Sequence, residues 1–172
     1  MKLIKTRKFL LRHYQKGDEI SLVKNINNEK IMKYTLRIPN PYKMSDANEW
    51  IHYNMEMLTE KDPSEINMAM IVEKEVVGGL GFTNIDVHKA ELGYWLAEGL
   101  WNQGLMTDAV KRMTKAGFKD LKFKRIYATV FPDNEASMKV LEKAGYEREG
   151  YLKNYFLNNS SLQDVYMYAA FR

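Results

Sequence analysis

Apolar and polar positions follow two different periods along the chain, and the change of period divides it. Met68, Met70 and Val72 alternate with Ala69, Ile71 and Glu73, the period of two that marks a half-buried strand. Lys74–Glu75 follows as a hairpin turn, and Val76–Ile85 returns as a second strand. Glu91–Ala97 makes a third, with Tyr94 and Trp95 suited to a pleated surface. Together they predict an antiparallel meander. The period then lengthens. Met106, Ala109, Val110, Met113 and Gly117 fall on one helical stripe, which predicts a helix over Gly104–Asp120. Arg125–Phe131 reads as a strand, and Ser137, Val140, Leu141 and Ala144 mark a second helical face ended by Gly145 at C′. Two last strands, Glu147–Leu157 and Leu162–Phe171, flank a turn at Asn158–Ser161.

The first third carries weaker periodicity. Phe9–Tyr14 reads as a strand, and Asp18–Ile26 and Asn28–Tyr34 as short helices with Asp18 and Asn28 as N-caps. Ile38–Met44 holds Pro39 and Pro41 and reads as loop; Ser45 then caps a helix through Glu60, stopped by Pro63. The resulting order is β, α, α, α, β, β, β, α, β, α, β, β. It predicts one α/β domain over residues 1–172 built on a mixed sheet.

Composition narrows the chemistry. The chain has 172 residues, a length that fits one domain burying roughly 70% of its unfolded surface. It has no cysteine, which excludes disulfides, a thiolate nucleophile and cysteine-ligated metal centres. The three histidines, His13, His52 and His88, lie far apart without ligand spacing, so no metal site is expected. No apolar run approaches the ~20 residues that span a bilayer, and Met1–Lys8 does not resemble a cleaved signal. The expected location is cytoplasmic. A net charge of +4 fits an anionic small ligand or loose nucleic-acid contact and decides neither.

Chemistry concentrates after the third strand of the meander. There a strand ends near Ala97, a short loop follows, and Gly104 stands before an amphipathic helix. Free amide N–H groups and the helix dipole at such a junction suit a pyrophosphate. Glycine at 104 allows close approach, and Asn102 is the next-best residue for a positive φ. On spacing alone, Gly104 serves equally as a plain helix start.

Three segments, in order, carry a resemblance. Trp101-Asn-Gln-Gly-Leu-Met-Thr-Asp-Ala109 resembles the acyl-CoA loop of the GNAT superfamily of N-acetyltransferases. It is most similar to the ribosomal-protein-alanine (RimJ/RimL-like) branch, matching at Trp101, Gly104, Thr107 and Ala109. Asn102 replaces a glycine, Met106 a small residue and Asp108 a glutamate. Asn134-Glu-Ala-Ser137 with Leu141-Glu-Lys-Ala-Gly-Tyr146 resembles the family's Asn-x-x-Ser helix and its Lys-x-Gly-Tyr ending, and Thr6–Arg12 resembles its opening strand.

The resemblance implies a single-domain fold with a mostly antiparallel sheet of six or seven strands, flanked by helices. Two central strands would splay into a wedge for acetyl-CoA. Leu96 and Ala97 would offer unpaired backbone groups to the pantetheine, as an added strand does. Trp101, Asn102, Gln103, Gly104, Leu105, Met106 and Thr107 would cradle the pyrophosphate, and Asn134 would touch the pantetheine. Ser137 would lie near the sulfur; its ordinary alternative is a bond to its own helix backbone. Glu91 takes the position of the family's general base, against the plainer reading of a surface carboxylate paired with a cation. Leu141 stands where many relatives carry a tyrosine acid, leaving Ser137, Tyr146 or water to protonate the thiolate.

The implied activity is acetyl transfer from acetyl-CoA to a primary amine by direct attack, foremost a protein N-terminal α-amine. A small amine such as a polyamine, amino sugar or antibiotic is the alternative acceptor, and a homodimer stays an open option. The acceptor would lie among Asp18–Glu60 and Tyr151–Gln163. Glu49, Glu56 and Asp164 are candidates to attract a cation there, and Tyr34, Trp50, Tyr53, Tyr151 and Tyr155 to form walls; solubility and packing explain them as well. Lys111, Arg112, Lys115, Lys119, Lys122, Lys124 and Arg125 read first as a solvated face and second as contacts for CoA phosphates. A nucleic-acid-binding protein is the non-enzymatic alternative. The basic run lacks the aromatic interleaving such a protein uses.

Overall fold

The computed structural model describes residues 1–158 and 161–172. The strands β1 (Ile4–Lys5) and β2 (Leu10–Arg12) lead into three helices, α1 (Glu19–Ile26), α2 (Glu29–Met32) and α3 (Met44–Met57). The meander β3 (Ile66–Val72), β4 (Glu75–Thr83) and β5 (Lys89–Leu96) follows, then a 3₁₀ turn at Glu98–Leu100. The chain ends with α4 (Leu105–Lys119), β6 (Arg125–Val130), α5 (Glu135–Ala144), β7 (Glu147–Asn158) and β8 (Ser161–Phe171). One eight-stranded sheet results, ordered β1-β2-β3-β4-β5-β6-β8-β7. The eighth strand is β1, only two residues long and without an alternating pattern of its own.

Element boundaries moved where side chains outvoted simple signals. The tight turn is Glu73–Lys74, both at positive φ (50° and 69°), one residue before the expected Lys74–Glu75. Lys43 caps α3 in place of Ser45, because the Asp46 carboxylate accepts the Lys43 backbone N–H at 2.6 Å and starts the helix earlier. That helix stops at Met57 rather than Glu60. Asn28 caps α2 as expected, accepting from the Lys30 backbone N–H at 2.9 Å, and Gly145 closes α5 at φ 93°. The expected turn at Asn158–Ser161 centres on residues 159 and 160, which lie outside the described residues.

The sheet has two buried faces. Against one lie α4 and α5, where Met106, Ala109, Val110 and Met113 of the predicted stripe sit at 5% exposure or less. Gly117 continues that stripe at a close approach: a Cβ there would stand 2.8 Å from Phe82 and from Ile126. The other face holds α1 and α3 through Tyr14, Leu22, Ile26, Ala47 and Ile51.

Asp18 stands at the α1 N-cap position but makes no cap bond. It is buried and instead accepts two bonds from the Arg12 guanidinium, both 2.7 Å, and one from the Gln15 backbone N–H at 3.0 Å. A bidentate carboxylate–guanidinium pair removed from water is costly to break on one side. Asp18→Asn is expected to lower stability by about 2–4 kcal/mol, read from urea unfolding. A loss within the roughly 0–1 kcal/mol of an exposed pair would mark this contact as peripheral.

Candidate active site

Every neighbouring strand pair in the sheet is antiparallel except β5 and β6. That parallel pair lasts three residues: Lys89 opposite Arg125, Ala90 opposite Ile126 and Glu91 opposite Tyr127. Beyond Glu91, β5 stays with β4 while β6 stays with β8 as far as Val130. The two strands therefore open into a V whose vertex is Glu91.

Pairing on the β4 side fixes what faces this opening. The Ala97 N–H donates to the Val77 carbonyl at 2.7 Å. Antiparallel bonding alternates, so the main-chain groups of Leu92, Tyr94 and Leu96 are turned toward the gap. The expectation of free groups at both Leu96 and Ala97 is corrected accordingly. The Ala97 N–H is already paired, and the Leu96 carbonyl accepts the Trp101 indole N–H at 2.7 Å, retaining one lone pair. Trp101 thus pins the loop to the strand end.

The loop then delivers its donors. Asn102 has φ 61° and Gly104 φ 74°, both left-handed. A Cβ at Gly104 would meet nothing within 4 Å, so the space above it is open. Leu105, Met106 and Thr107 begin α4, and the first α4 backbone bond in this turn runs from Asp108 N–H to Gly104 O at 3.1 Å. The preceding N–H groups are the orphan donors of a helix N-terminus, a cradle that fits a pyrophosphate. The side chains of Leu105 and Met106 are buried in the core, leaving their amides to serve the loop. Gln103 turns away, its amide donating to Gly99 O at 3.1 Å.

A cleft of about 1420 Å³ runs from this loop through the V to the α1–α3 side of the sheet. Glu91, Leu96, Trp101, Asn102, Gly104, Thr107, Asn134 and Ser137 line it, with Lys111 from the basic run; Ala97 and Gln103 do not. Lys115 and Lys119 are exposed, and Arg112 and Arg125 pair with Asp108 and Glu149. On the acceptor side Tyr34, Glu49, Trp50 and Tyr53 line the cleft as expected. Tyr151, Tyr155, Glu56 and Asp164 do not: Glu56 faces His52 at 3.2 Å, and Asp164 accepts from Tyr151 and from the Asn154 N–H.

Glu91 has no cationic partner among the described residues. Its Oε2 accepts from Asn84 Nδ2 at 2.7 Å and its Oε1 from Thr129 Oγ1 at 3.0 Å. Those two neutral donors, from the loop after β4 and from β6, orient the carboxylate and leave lone pairs on both oxygens. Tyr127 lies beside it, its phenol pushed up first by burial and then by the Glu91 charge. Gly93, next on the same face of β5, is exposed, and a Cβ there would meet nothing within 4 Å. The floor beside Glu91 is bare backbone.

Across the wedge, Asn134 caps α5 by accepting the Ser137 N–H at 3.1 Å. Ser137 Oγ bonds the Tyr94 hydroxyl at 2.8 Å. Tyr94, a lining residue that the sequence marks only as part of a strand, has its phenol pKa raised by burial. Tyr146, the tyrosine offered as an acid, is instead buried against Thr114 Oγ1 at 2.7 Å. Leu141 is fully buried.

The short helix α2 spans the lips of the cleft. Lys30 pairs with Glu98, and Asn28 Nδ2 donates to the same carboxylate at 2.7 Å. On the opposite lip Lys33 pairs with Asp133 at 2.6 Å. Lys30 holds the Glu98 carboxyl below the usual range, and Lys33 does the same for Asp133. Among the described residues no cluster of three His, Asp or Glu could hold a metal ion, and no helix is long and apolar enough to cross a membrane.

Known proteins share this architecture. The family described as acetyltransferase (GNAT) domain matches residues 8–147. The uncharacterized N-acetyltransferase p20 of Bacillus licheniformis is 29% identical, over 98% of this chain and 96% of its own. The ribosomal protein uS5 alanine N-acetyltransferase of Escherichia coli is 32% identical over 54% of this chain and 49% of its own. The crystal structure of a GNAT-family acetyltransferase from Bacillus anthracis superposes with a TM-score of 0.85 at 29% identity, covering 99% of this chain and 98% of that one.

Proposed function

The chain belongs to the acetyltransferase (GNAT) family and is an N-acetyltransferase that uses acetyl-CoA; on that premise we propose that its acceptor is a protein N-terminal α-amine. The observation that carries the acceptor is the shape of the cleft beside Glu91. The whole cleft of about 1420 Å³ is shared with the CoA loop, and its part beside Glu91 opens on the α1–α3 side of the sheet. Its floor at Gly93 carries no side chain, leaving room for extended backbone to reach the carboxylate. Glu49 lines the same side and favours an incoming ammonium, beside Glu65, which is shared with Arg37 at 3.4 Å, while Trp50, Tyr53 and Phe131 offer flat walls to following side chains. Half-length similarity to an enzyme named for a ribosomal-protein alanine supports the same reading.

Each group then has a task. The amides of Leu105, Met106 and Thr107 receive the pyrophosphate at the Gly104 turn, with Trp101, Asn102 and Gln103 shaping that loop. Main-chain groups at Leu96 and the Asn134 side-chain amide N–H hold the pantetheine. Glu91 takes the proton that the attacking nitrogen loses, and Ser137 serves the sulfur. Without any cysteine in the chain, no cysteine thioester can form on the enzyme, and direct attack is the consistent route.

The test is an acceptor panel with acetyl-CoA, scored by thiol release: N-terminal peptides beginning with alanine, serine or methionine, free amino acids, polyamines and amino sugars. Peptides are expected to be the best acceptors. Turnover of small amines alone would overturn the acceptor while leaving the enzyme class intact.

A further inference from the structure

Two hydroxyls meet at the first turn of α5, and they bear on how the reaction lets go of its leaving group. A serine inside a helix ordinarily donates to the carbonyl four residues back. Ser137 is only the third residue of α5, so the residue four back, Asp133, lies before the helix, where its carbonyl accepts the Tyr34 hydroxyl at 3.2 Å. Ser137 Oγ is bonded to Tyr94. Among the described residues the Tyr94 hydroxyl has two hydrogen-bond partners, both on Ser137: Oγ at 2.8 Å and the carbonyl oxygen at 3.2 Å. A carbonyl only accepts, so Tyr94 is the donor toward it, while between the two hydroxyls either can be the donor.

Resting on the reading that the thioester lies in the V, we propose that Tyr94 is a positioning residue: it donates its proton to Ser137 Oγ and thereby frees the Ser137 hydroxyl proton to bond the departing sulfur. Burial reinforces the arrangement, since it raises the phenol pKa and keeps Tyr94 a donor through the neutral range. The electrons balance without either hydroxyl ionising. The amine nitrogen forms the C–N bond with its lone pair, the C–S bond breaks with its pair on sulfur, and the nitrogen's proton passes to Glu91. Ser137 and Tyr94 keep their protons. The thiolate leaves hydrogen-bonded and takes a proton from water on release. A fully buried leucine at 141 fits such a site, because the donor comes from β5 rather than from the next turn of α5.

The probe is coenzyme A itself, whose thiolate absorbs in the ultraviolet, titrated when bound to wild type, Tyr94→Phe, Ser137→Ala and the double variant. A donor to the thiolate lowers the thiol pKa. Losing it is expected to raise the bound thiol's pKa by about one unit, tenfold less thiolate at a given pH. Because Tyr94 acts through Ser137, the double variant should match Ser137→Ala alone. An unshifted thiol in Tyr94→Phe, or additive shifts in the double variant, would overturn the proposal. Ser137→Ala carries the test even if Tyr94→Phe melts early: a thiol that stays acidic there would show that Tyr94 needs no serine. Failure of wild type to bind coenzyme A would instead remove the reading on which the proposal rests.

Discussion

Glu91→Gln is expected to lose about 10²–10⁴-fold in the amine-transfer step while keeping its affinity for coenzyme A. The local geometry makes this substitution a clean one. The introduced carboxamide can accept from Asn84 through its oxygen, and its N–H can donate to Thr129, whose hydroxyl rotates to accept. Both neighbours stay satisfied, and only the ability to take a proton disappears. A peptide α-amine has a pKa near about 7.7–8.0, so it is mostly protonated at neutral pH. Raising the pH supplies free amine without help, and the variant should recover part of its rate where wild type has reached its plateau. If the carboxylate were a bystander, the substitution would cost no more than the roughly 0–1 kcal/mol of an exposed contact. Superimposable pH–rate profiles for the two proteins, with one verified acceptor, would remove Glu91 from the mechanism.

Much of this arrangement is legible in the sequence, and the exceptions have physical causes. The α4 stripe and the β3–β4 hairpin follow from periodicities that burial enforces residue by residue. Asn102 and Gly104 announce a left-handed turn because few other residues adopt it at low cost. The vertex of the V is harder to see. Glu91 stands out in one segment, yet its supports Asn84 and Thr129 come from two other stretches and meet it only after β5 pairs with β6. Tyr94 shows the opposite failure. In sequence it reads only as suited to a pleated strand surface, and its hydroxyl finds its partner only in Ser137, far along the chain. Surface carboxylates deceive in a third way: Glu56 and Asp164 look available in sequence but fold against His52 and Tyr151.

Coenzyme A binding should depend on Gly104 more than on any charged side chain. The turn sits at φ 74°, where a β-carbon costs roughly 1–2 kcal/mol of strain, and the same bulk would project into space that is otherwise empty. Gly104→Val therefore strains the turn that aims the Leu105, Met106 and Thr107 amides and fills the volume a pyrophosphate needs. Losing two charge-assisted hydrogen bonds, each worth about 1.5–3 kcal/mol, weakens affinity by about a hundredfold or more. Gly104→Ala separates the two causes, since it introduces the strain with little bulk and should fall between wild type and valine. Lys111→Ala removes an exposed point charge at the rim and should change affinity only a few-fold. Calorimetry on proteins whose melting curves show them folded measures all three. An unchanged affinity in folded Gly104→Val would mean that the pyrophosphate does not rest on the start of α4, and the orphan amides there would be serving water.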